Sequence, residues 1–408
     1  MIAPLTAPRP LNLTNTDKNI HENYKGMEFA ANGKTAAVCF TAGHGEDAKT
    51  RLAVCDLTAA KFANVAIPGE MKLLALSPEG DQALLTTTDY SSDYKLVLWS
   101  LTGDEPKAIK VWNPHVPKDN SKRETKWGAF LDAKCAVVQS SSGRLVLWDL
   151  DKNLPLATLE GDSSEKLALS PDRKYLIVNA DRRFVLLDLT KLELVGSMEK
   201  PFITQAITFS PDSKQFAISE PNKVMLYDFA TGKKTADIRT YSGGFGKGML
   251  WIEPNWILVN GTTLVQVDKK RPFWNYSRLE DVELAGGWCW CYLKDFGRTE
   301  ALIPHKIPHE TVTSVLNDFV PPPMEYYLQP GDAVALDLGG IGDAGQVQLA
   351  EAAITKRLQE LGYAVDPQSP VKLIAQIETG KSEELSYSNW FGAEGASKST
   401  RSRRASAS

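Results

Sequence analysis

The chain has 408 residues, 43% of them hydrophobic and 24% charged, with 46 Lys plus Arg against 50 Asp plus Glu for a net charge of -4. This is globular composition, long enough for two or three domains, and its near-neutral balance argues against a general nucleic-acid or anionic-membrane binder, which needs a clustered positive field. Five cysteines (Cys39, Cys55, Cys135, Cys289 and Cys291) are too sparse and odd in number for a disulfide framework. No apolar run reaches the roughly 18 residues that span a bilayer.

The first twenty residues, MIAPLTAPRPLNLTNTDKNI, hold no basic stretch followed by an apolar one, the mark of a secretory leader. The reading is therefore a cytoplasmic protein, with the cell envelope as the alternative if the true start lies upstream. Residues 1–23 are expected to help close the array that follows.

From there a repeat organises the chain. Six segments end in an aromatic or apolar residue followed by Asp or Ser. They are RLAVCD at Asp56, KLVLWS at Ser100, RLVLWD at Asp149, FVLLDL with Asp188, KVMLYD at Asp228 and TLVQVD at Asp268, in steps of 44, 49, 39, 40 and 40 residues. A second mark precedes three of them: Ser77-Pro78-Glu79-Gly80, Ser170-Pro171-Asp172 and Ser210-Pro211-Asp212, with a weaker form in residues 28–34. Proline presets φ for a turn, and Asp or Gly completes it. Each unit thus predicts a short apolar strand (73–76), a Ser-Pro turn, a second strand (83–86 or 175–178), a polar loop, a third strand (145–148) and a weaker fourth (234–239). Four short strands per roughly 40 residues describe a propeller blade.

Trp148-Asp149, Tyr227-Asp228, Trp99-Ser100 and the Ser-Pro turns make residues 27–309 resemble the WD-repeat and YVTN-type β-propellers. The resemblance implies a mainly β fold of about seven four-stranded antiparallel blades over residues 24–315. The Gly-His pair of the WD pattern is absent before each inner strand, so the buried His-to-Asp network of that family is not carried over. Blade 3 has Phe130-Leu131-Asp132 in place of the Ser-Pro turn, blade 6 has Trp251-Ile252-Glu253-Pro254, and the seventh unit, 288–309, is short. The Trp, Tyr and Asp of each mark are expected to be blade core and turn chemistry.

Residues 316–330, with Pro321-Pro322-Pro323, read as a stiff connector. A small α/β module is expected over 331–388: a strand (333–338), a glycine-rich loop, a helix (346–361) with Val347, Ala350, Ile354, Leu358 and Leu361 on one face, and a second strand (371–377). Its order resembles the accessory α/β domains attached to bacterial propeller proteins. The Ser- and Arg-rich residues 389–408 are expected to be disordered.

Several motifs invite an enzymatic reading. Gly340-Ile341-Gly342-Asp343-Ala344-Gly345 matches the dinucleotide-binding pattern and its strand-to-helix context. Against it stand the one-faced alternation of Val334, Leu336 and Leu338 with Ala333, Ala335 and Asp337, and the negative charge of Asp343 where a pyrophosphate would sit. The acid expected about 20 residues on is also missing, Glu378 being the first at the end of a second strand. His305 and His309 have metal-ligand spacing, but Pro304 and Pro308 rule out the helix that would use it. Cys289 and Cys291 share one strand face and are expected to pack in the core. No cofactor, metal or catalytic residue is assigned.

In a propeller the Ser-Pro turns lie at one end of the ring, and the second-to-third loops and the crossovers between blades at the other. The longer connections gather at that second end, where loops on a rigid ring usually bind. The candidate partner-binding residues are His44, Asp89, Tyr90, Asp93, His115, Lys118, Lys122, Arg123, Lys126, Asp181 and Arg182. The function expected is a non-enzymatic scaffold with a protein partner, neither nucleic-acid-binding nor membrane-spanning, its oligomeric state open. The rival is an enzyme or ligand-binding propeller with a site in the central channel. Convergent polar groups of perturbed pKa in that channel would favour the rival.

Overall fold

The computed structural model describes residues 7–15, 17, 20–44, 47–88, 94–103, 106–115, 124–162, 167–180, 182–201, 203–240, 248–276, 279, 281–295, 299–318, 331–378 and 404–407. The chain divides into two compact units, Met1–Asp318 and Phe319–Ser408. Among the described residues no helix is long and apolar enough to cross a membrane.

The first unit is a ring of seven four-stranded antiparallel sheets. In six blades the repeat marks fall on the third strand: Lys49–Asp56, Leu96–Ser100, Leu145–Asp149, Arg183–Asp188, Lys223–Asp228 and Thr263–Gln266. These runs read as continuously apolar because each blade is sandwiched between two others and its middle strands are buried on both faces. The core is correspondingly seven clusters, one between each adjacent pair of blades. Trp99, Trp148 and Tyr227 of the marks are all buried there.

Blade 7 takes three strands from its own segment, Val282–Ala285, Trp288–Asp295 and Thr299–His305, and its fourth from the N-terminus. Leu11 pairs with Leu302 and Asn12 with Ala301. Leu11 and Leu13 are buried between blades 7 and 1, so the N-terminal segment closes the ring by apolar burial as well as by backbone pairing. A helix the repeat did not announce, α1 (Glu310–Asp318), follows blade 7 and packs Val312 against Ile307 and Cys289. It takes in residues 316–318, which composition assigned to the connector.

The turn marks repeat one chemistry. Ser170 Oγ donates to Asp172 Oδ1 at 2.7 Å and accepts from Tyr175 N at 2.9 Å. Ser210 does the same with Asp212 at 2.8 Å and Gln215 N at 2.9 Å. Ser77, followed by Glu79 where the others have Asp, finds its carboxylate at Asp81 instead, at 2.6 Å. Gly80, Arg173 and Ser213 then occupy the same left-handed position, at φ 77°, 59° and 57°. In four of the six third-strand marks the terminal Asp caps the next turn, Asp149 Oδ1 accepting from Lys152 N at 2.8 Å. Asp56 Oδ1 accepts from Thr58 N and Ala59 N, Asp188 Oδ1 from Thr190 N and Lys191 N, and Asp228 Oδ1 from Thr231 N, all at 2.8–3.1 Å. These aspartates serve locally, as short polar side chains do at turns.

The second unit pairs Ala333–Gly340 in parallel with Lys372–Glu378, with α2 (Ala344–Glu360) between them in sequence and Ala364–Val365 on the other side of the first strand. Val334 and Ala335, neighbours in sequence, are both buried while Leu336 is partly exposed, so the one-faced alternation read from sequence holds only in part. Val347, Ala350, Ile354 and Leu358 are partly buried positions of α2, and Leu361 lies beyond its end and exposed. Asp343 is the N-cap, its Oδ1 accepting from Gln346 N at 2.9 Å, which gives the acidic member of the glycine motif a structural task. Most of residues 389–408 lie outside the described residues; Arg404–Ala407 pair antiparallel with Lys372–Glu378.

Candidate functional site: the channel and its crossover mouth

Of the residues singled out in the sequence, Asp89, Tyr90, Asp93, Lys118, Lys122, Arg123 and Asp181 lie outside the described residues. His44 is exposed on the second-to-third loop of blade 1. Arg182 is exposed at φ 60°, its backbone N–H donating to Asp162 Oδ2 at 3.3 Å. His115 is different: it is only 4% exposed, with Nε2 3.4 Å from Thr125 Oγ1. Burial, aided by the charge of Arg144, pushes its pKa down to about 4. This histidine is a neutral anchor at the base of the blade 2–3 crossover and not a surface contact. Lys126, at the far end of that crossover, lines the central channel.

The channel is a cavity of about 1130 Å³ bounded by the inner strands of all seven blades. Blades 4, 5 and 6 present apolar side chains to it, among them Leu169, Ile207, Phe209 and Met249. The charged groups gather on the remaining arc: Lys25 and Glu28 from blade 1, Lys72 from blade 2, Lys126 from blade 3, and Asp281 and Glu283 at blade 7. Two of the lysines sit at breaks in register. The pairing of Glu22–Phe29 skips Lys25 between Tyr24 and Gly26, and that of Thr125–Phe130 skips Lys126 between Thr125 and Trp127. A bulge of this kind bends the strand and re-aims the side chain.

The lysines belong to the crossover end of their strands, and two of them are held by acids that immediately precede a first strand: Glu70 before that of blade 2 and Glu124 before that of blade 3. Lys25 pairs with Glu70 at 2.9 Å, Lys126 with Glu124 at 2.7 Å, and Lys72 Nζ donates to Lys126 O at 3.1 Å. The Lys25 hydrogen bond is the largest cause holding the Glu70 carboxyl below its usual range, and the charge of His44 adds to it. His44 thus lies within electrostatic reach of the Lys25–Glu70 pair, and Lys25 is the member of this group that sequence reading did not single out.

Deeper in, Glu28 and Glu283 come from the two blades that meet at the ring closure. Crowding by protein atoms raises both carboxyls, Glu283 to about 7, with Glu283 opposing the charge on Glu28, Asp281 that on Glu283, and Lys72 partly relieving Glu28. Both residues still line the open channel, Glu283 with substantial exposure. Among the described residues no three His, Cys, Asp or Glu are grouped to hold a metal ion. The described lining residues include no Ser, Cys or His. The five cysteines are all free thiols, and burial pushes Cys289 and Cys291 up to about 12, which leaves them unreactive. Sequence reasoning missed Lys25, Glu28, Lys72 and Glu283; the available signal was a charged residue inside an otherwise apolar inner strand.

No protein-family model matches the chain. Over 228 residues it is 24% identical to a BTB/POZ-domain and WD-repeat protein of Acanthamoeba polyphaga mimivirus, covering 39% of this chain and 45% of that protein. Over 163 residues it is 21% identical to a serine-threonine kinase receptor-associated protein of Dictyostelium discoideum, covering 38% of this chain and 54% of the relative. The chain spans about half the length of the curated relatives it matches. These relatives are viral and eukaryotic, and neither is bacterial.

Proposed function

We propose that this chain, a divergent β-propeller of the WD-repeat type, is a non-enzymatic scaffold that binds a protein partner at the crossover mouth of its ring. The observation that carries the reading is the gathering of Lys25, Lys72 and Lys126 from three successive blades at the end of the channel where the longer connections lie. A rigid ring that holds such groups in fixed relation offers a partner a preorganised surface. The lysines favour a partner segment with acidic residues, which would compete for them with Glu70 and Glu124. The printed name of the Dictyostelium relative, a receptor-associated protein, is in keeping with association as the activity.

Replacing residues 116–123 by a short Gly-Ser linker tests the reading. It leaves His115 and Thr125 in place, so the ring should keep its stability. The proposal expects binding of the native partner to fall markedly, and unchanged binding would count against it.

A second reading, a small-ligand site in the channel, is favoured by one observation, the raised carboxyls of Glu28 and Glu283 opposite Lys72. Perturbed titration in a cavity marks candidate sites but also arises from burial alone. The scaffold reading stands first because it accounts for the lysines of three successive blades at the mouth and accords with relatives named for the WD repeat.

A further inference from the structure

A second cavity lies on the outer part of the ring and shares only Leu279 with the described channel lining. It has a volume of about 440 Å³ and is formed where the fourth strand of blade 6, Arg271–Asn275, ends beside the exit of blade 7 toward α1. Its size is within the range of small-ligand pockets, roughly 300–1,000 Å³. Trp274, Tyr276 and His309 form an aromatic wall. His309 meets both other rings edge to face, at centroid distances of 5.5 Å and 5.4 Å, and its Nδ1 is 3.1 Å from the Tyr276 hydroxyl. That contact occupies one ring nitrogen and leaves Nε2.

The remaining polar capacity of the cavity is of one kind. His305 contributes a second imidazole, kept toward its neutral form by burial, with one N–H to give. Lys306 contributes an ammonium, whose ion pair with Glu253 is long at 3.8 Å and about half exposed on both sides, a weak hold. The described lining contains no Asp or Glu.

We infer that this cavity is a binding site for an aryl phosphate, a planar ring carrying a phosphate group. The ring would lie against Trp274 and Tyr276, where aromatic contacts and apolar burial act together. The phosphate would take N–H donors from Lys306, His305 and His309, and its three terminal oxygens match those three groups better than the two of a carboxylate. Neither half suffices: a neutral ring leaves the donors unused, and inorganic phosphate leaves the aromatic wall to water. The scaffold reading does not depend on this site.

The test is isothermal titration of the full chain with phenyl phosphate, phenol, inorganic phosphate and a short phosphotyrosine peptide. Phenyl phosphate should bind saturably and at least about tenfold more tightly than phenol or inorganic phosphate. Lys306→Met should weaken it about tenfold, and His309→Ala, checked for an unchanged melting profile, should do the same. Tighter binding of the peptide would assign the ligand to a phosphorylated protein; equal or weaker binding would assign it to a free small molecule. Absence of saturable phenyl phosphate binding, affinity no better than inorganic phosphate, or indifference to both substitutions would overturn the inference.

Discussion

Arg51 of blade 1 grips Glu22 of the same blade through three side-chain hydrogen bonds, Nη2 to Oε2 at 2.5 Å and Nε to Oε1 at 2.8 Å and to Oε2 at 3.1 Å. The same guanidinium donates to Leu13 O at 3.1 Å, approaches Glu300 of blade 7 at 4.0 Å and lies 4.2 Å over the Phe40 ring. One side chain therefore touches the N-terminal closing segment, the first blade and the last. With Glu22 only 8% exposed, removing the arginine strands a buried carboxylate. Arg51→Met should cost about 3 kcal/mol in chemical denaturation. A loss under about 1 kcal/mol would show that backbone pairing and the burial of Leu11 and Leu13 close the ring without it.

Leu192 turns the corner between the third and fourth strands of blade 4 at φ 59°, and is about half exposed. Gly232 holds the matching place in blade 5 at φ 66°. A left-handed leucine costs about 1–2 kcal/mol, and glycine's extra freedom in the unfolded chain takes back about 0.5–1. Leu192→Gly should therefore raise stability by about 0.5 kcal/mol; a lower denaturation midpoint would contradict the turn assignment.

Ser210 is buried, and its hydroxyl both donates to Asp212 and accepts from Gln215 N. Ser210→Ala leaves that backbone N–H without its side-chain acceptor, and should cost about 1–2 kcal/mol. Ser170→Ala should cost about as much, because its turn repeats the geometry. Widely different losses, measured by urea titration, would mean that the turns are not equivalent.

The pH dependence has two flanks. Hydrogen bonds from Ser210 and Lys214 N hold the Asp212 carboxyl below its usual value, and those from Thr231 do the same for Asp228. That stability is present above about pH 4 and is lost as pH falls through the lower folded values. Desolvation by the surrounding channel wall and repulsion from neighbouring carboxylates raise Glu28 and Glu283, so their contribution is present below about pH 4.5 and is lost as pH rises through the folded value, about 7 for Glu283. Glu283→Gln, which keeps the side chain neutral, should flatten the decline in melting temperature between pH 5 and pH 8. An unchanged slope would show that channel water leaves this carboxyl at its ordinary pKa.

The blades were legible because their signals are local. Most marks are a buried third strand followed by an Asp-capped turn, so Trp148-Asp149 and Tyr227-Asp228 announce both elements within a few residues. The first strand of blade 4, Ala168–Leu169, is only two residues long and was located by the Ser170-Pro171 turn after it. What remained hidden depends on closure. Glu28 and Glu283 lie at opposite ends of the propeller sequence and meet only because blade 7 returns to blade 1. The bulge that re-aims Lys126 has no glycine at the break, and the one at Lys25 is marked only by Gly26, at φ 130°. His115 looked like a surface group in a lysine-rich crossover, and only packing against Thr125 revealed it as an anchor.

The central claim is that the crossover mouth, and not the Ser-Pro-turn end, engages the partner. Affinity for the native partner can be measured for two full-length variants with equal charge change. One is Lys25→Glu with Lys72→Glu and Lys126→Glu at the mouth. The other is Lys34→Glu with Lys174→Glu and Lys214→Glu on exposed turns of the opposite end. The account predicts at least a tenfold loss for the first, about 1.4 kcal/mol or more, and less than twofold for the second, with both rings folded. Equal losses, or a loss confined to the second, would contradict it.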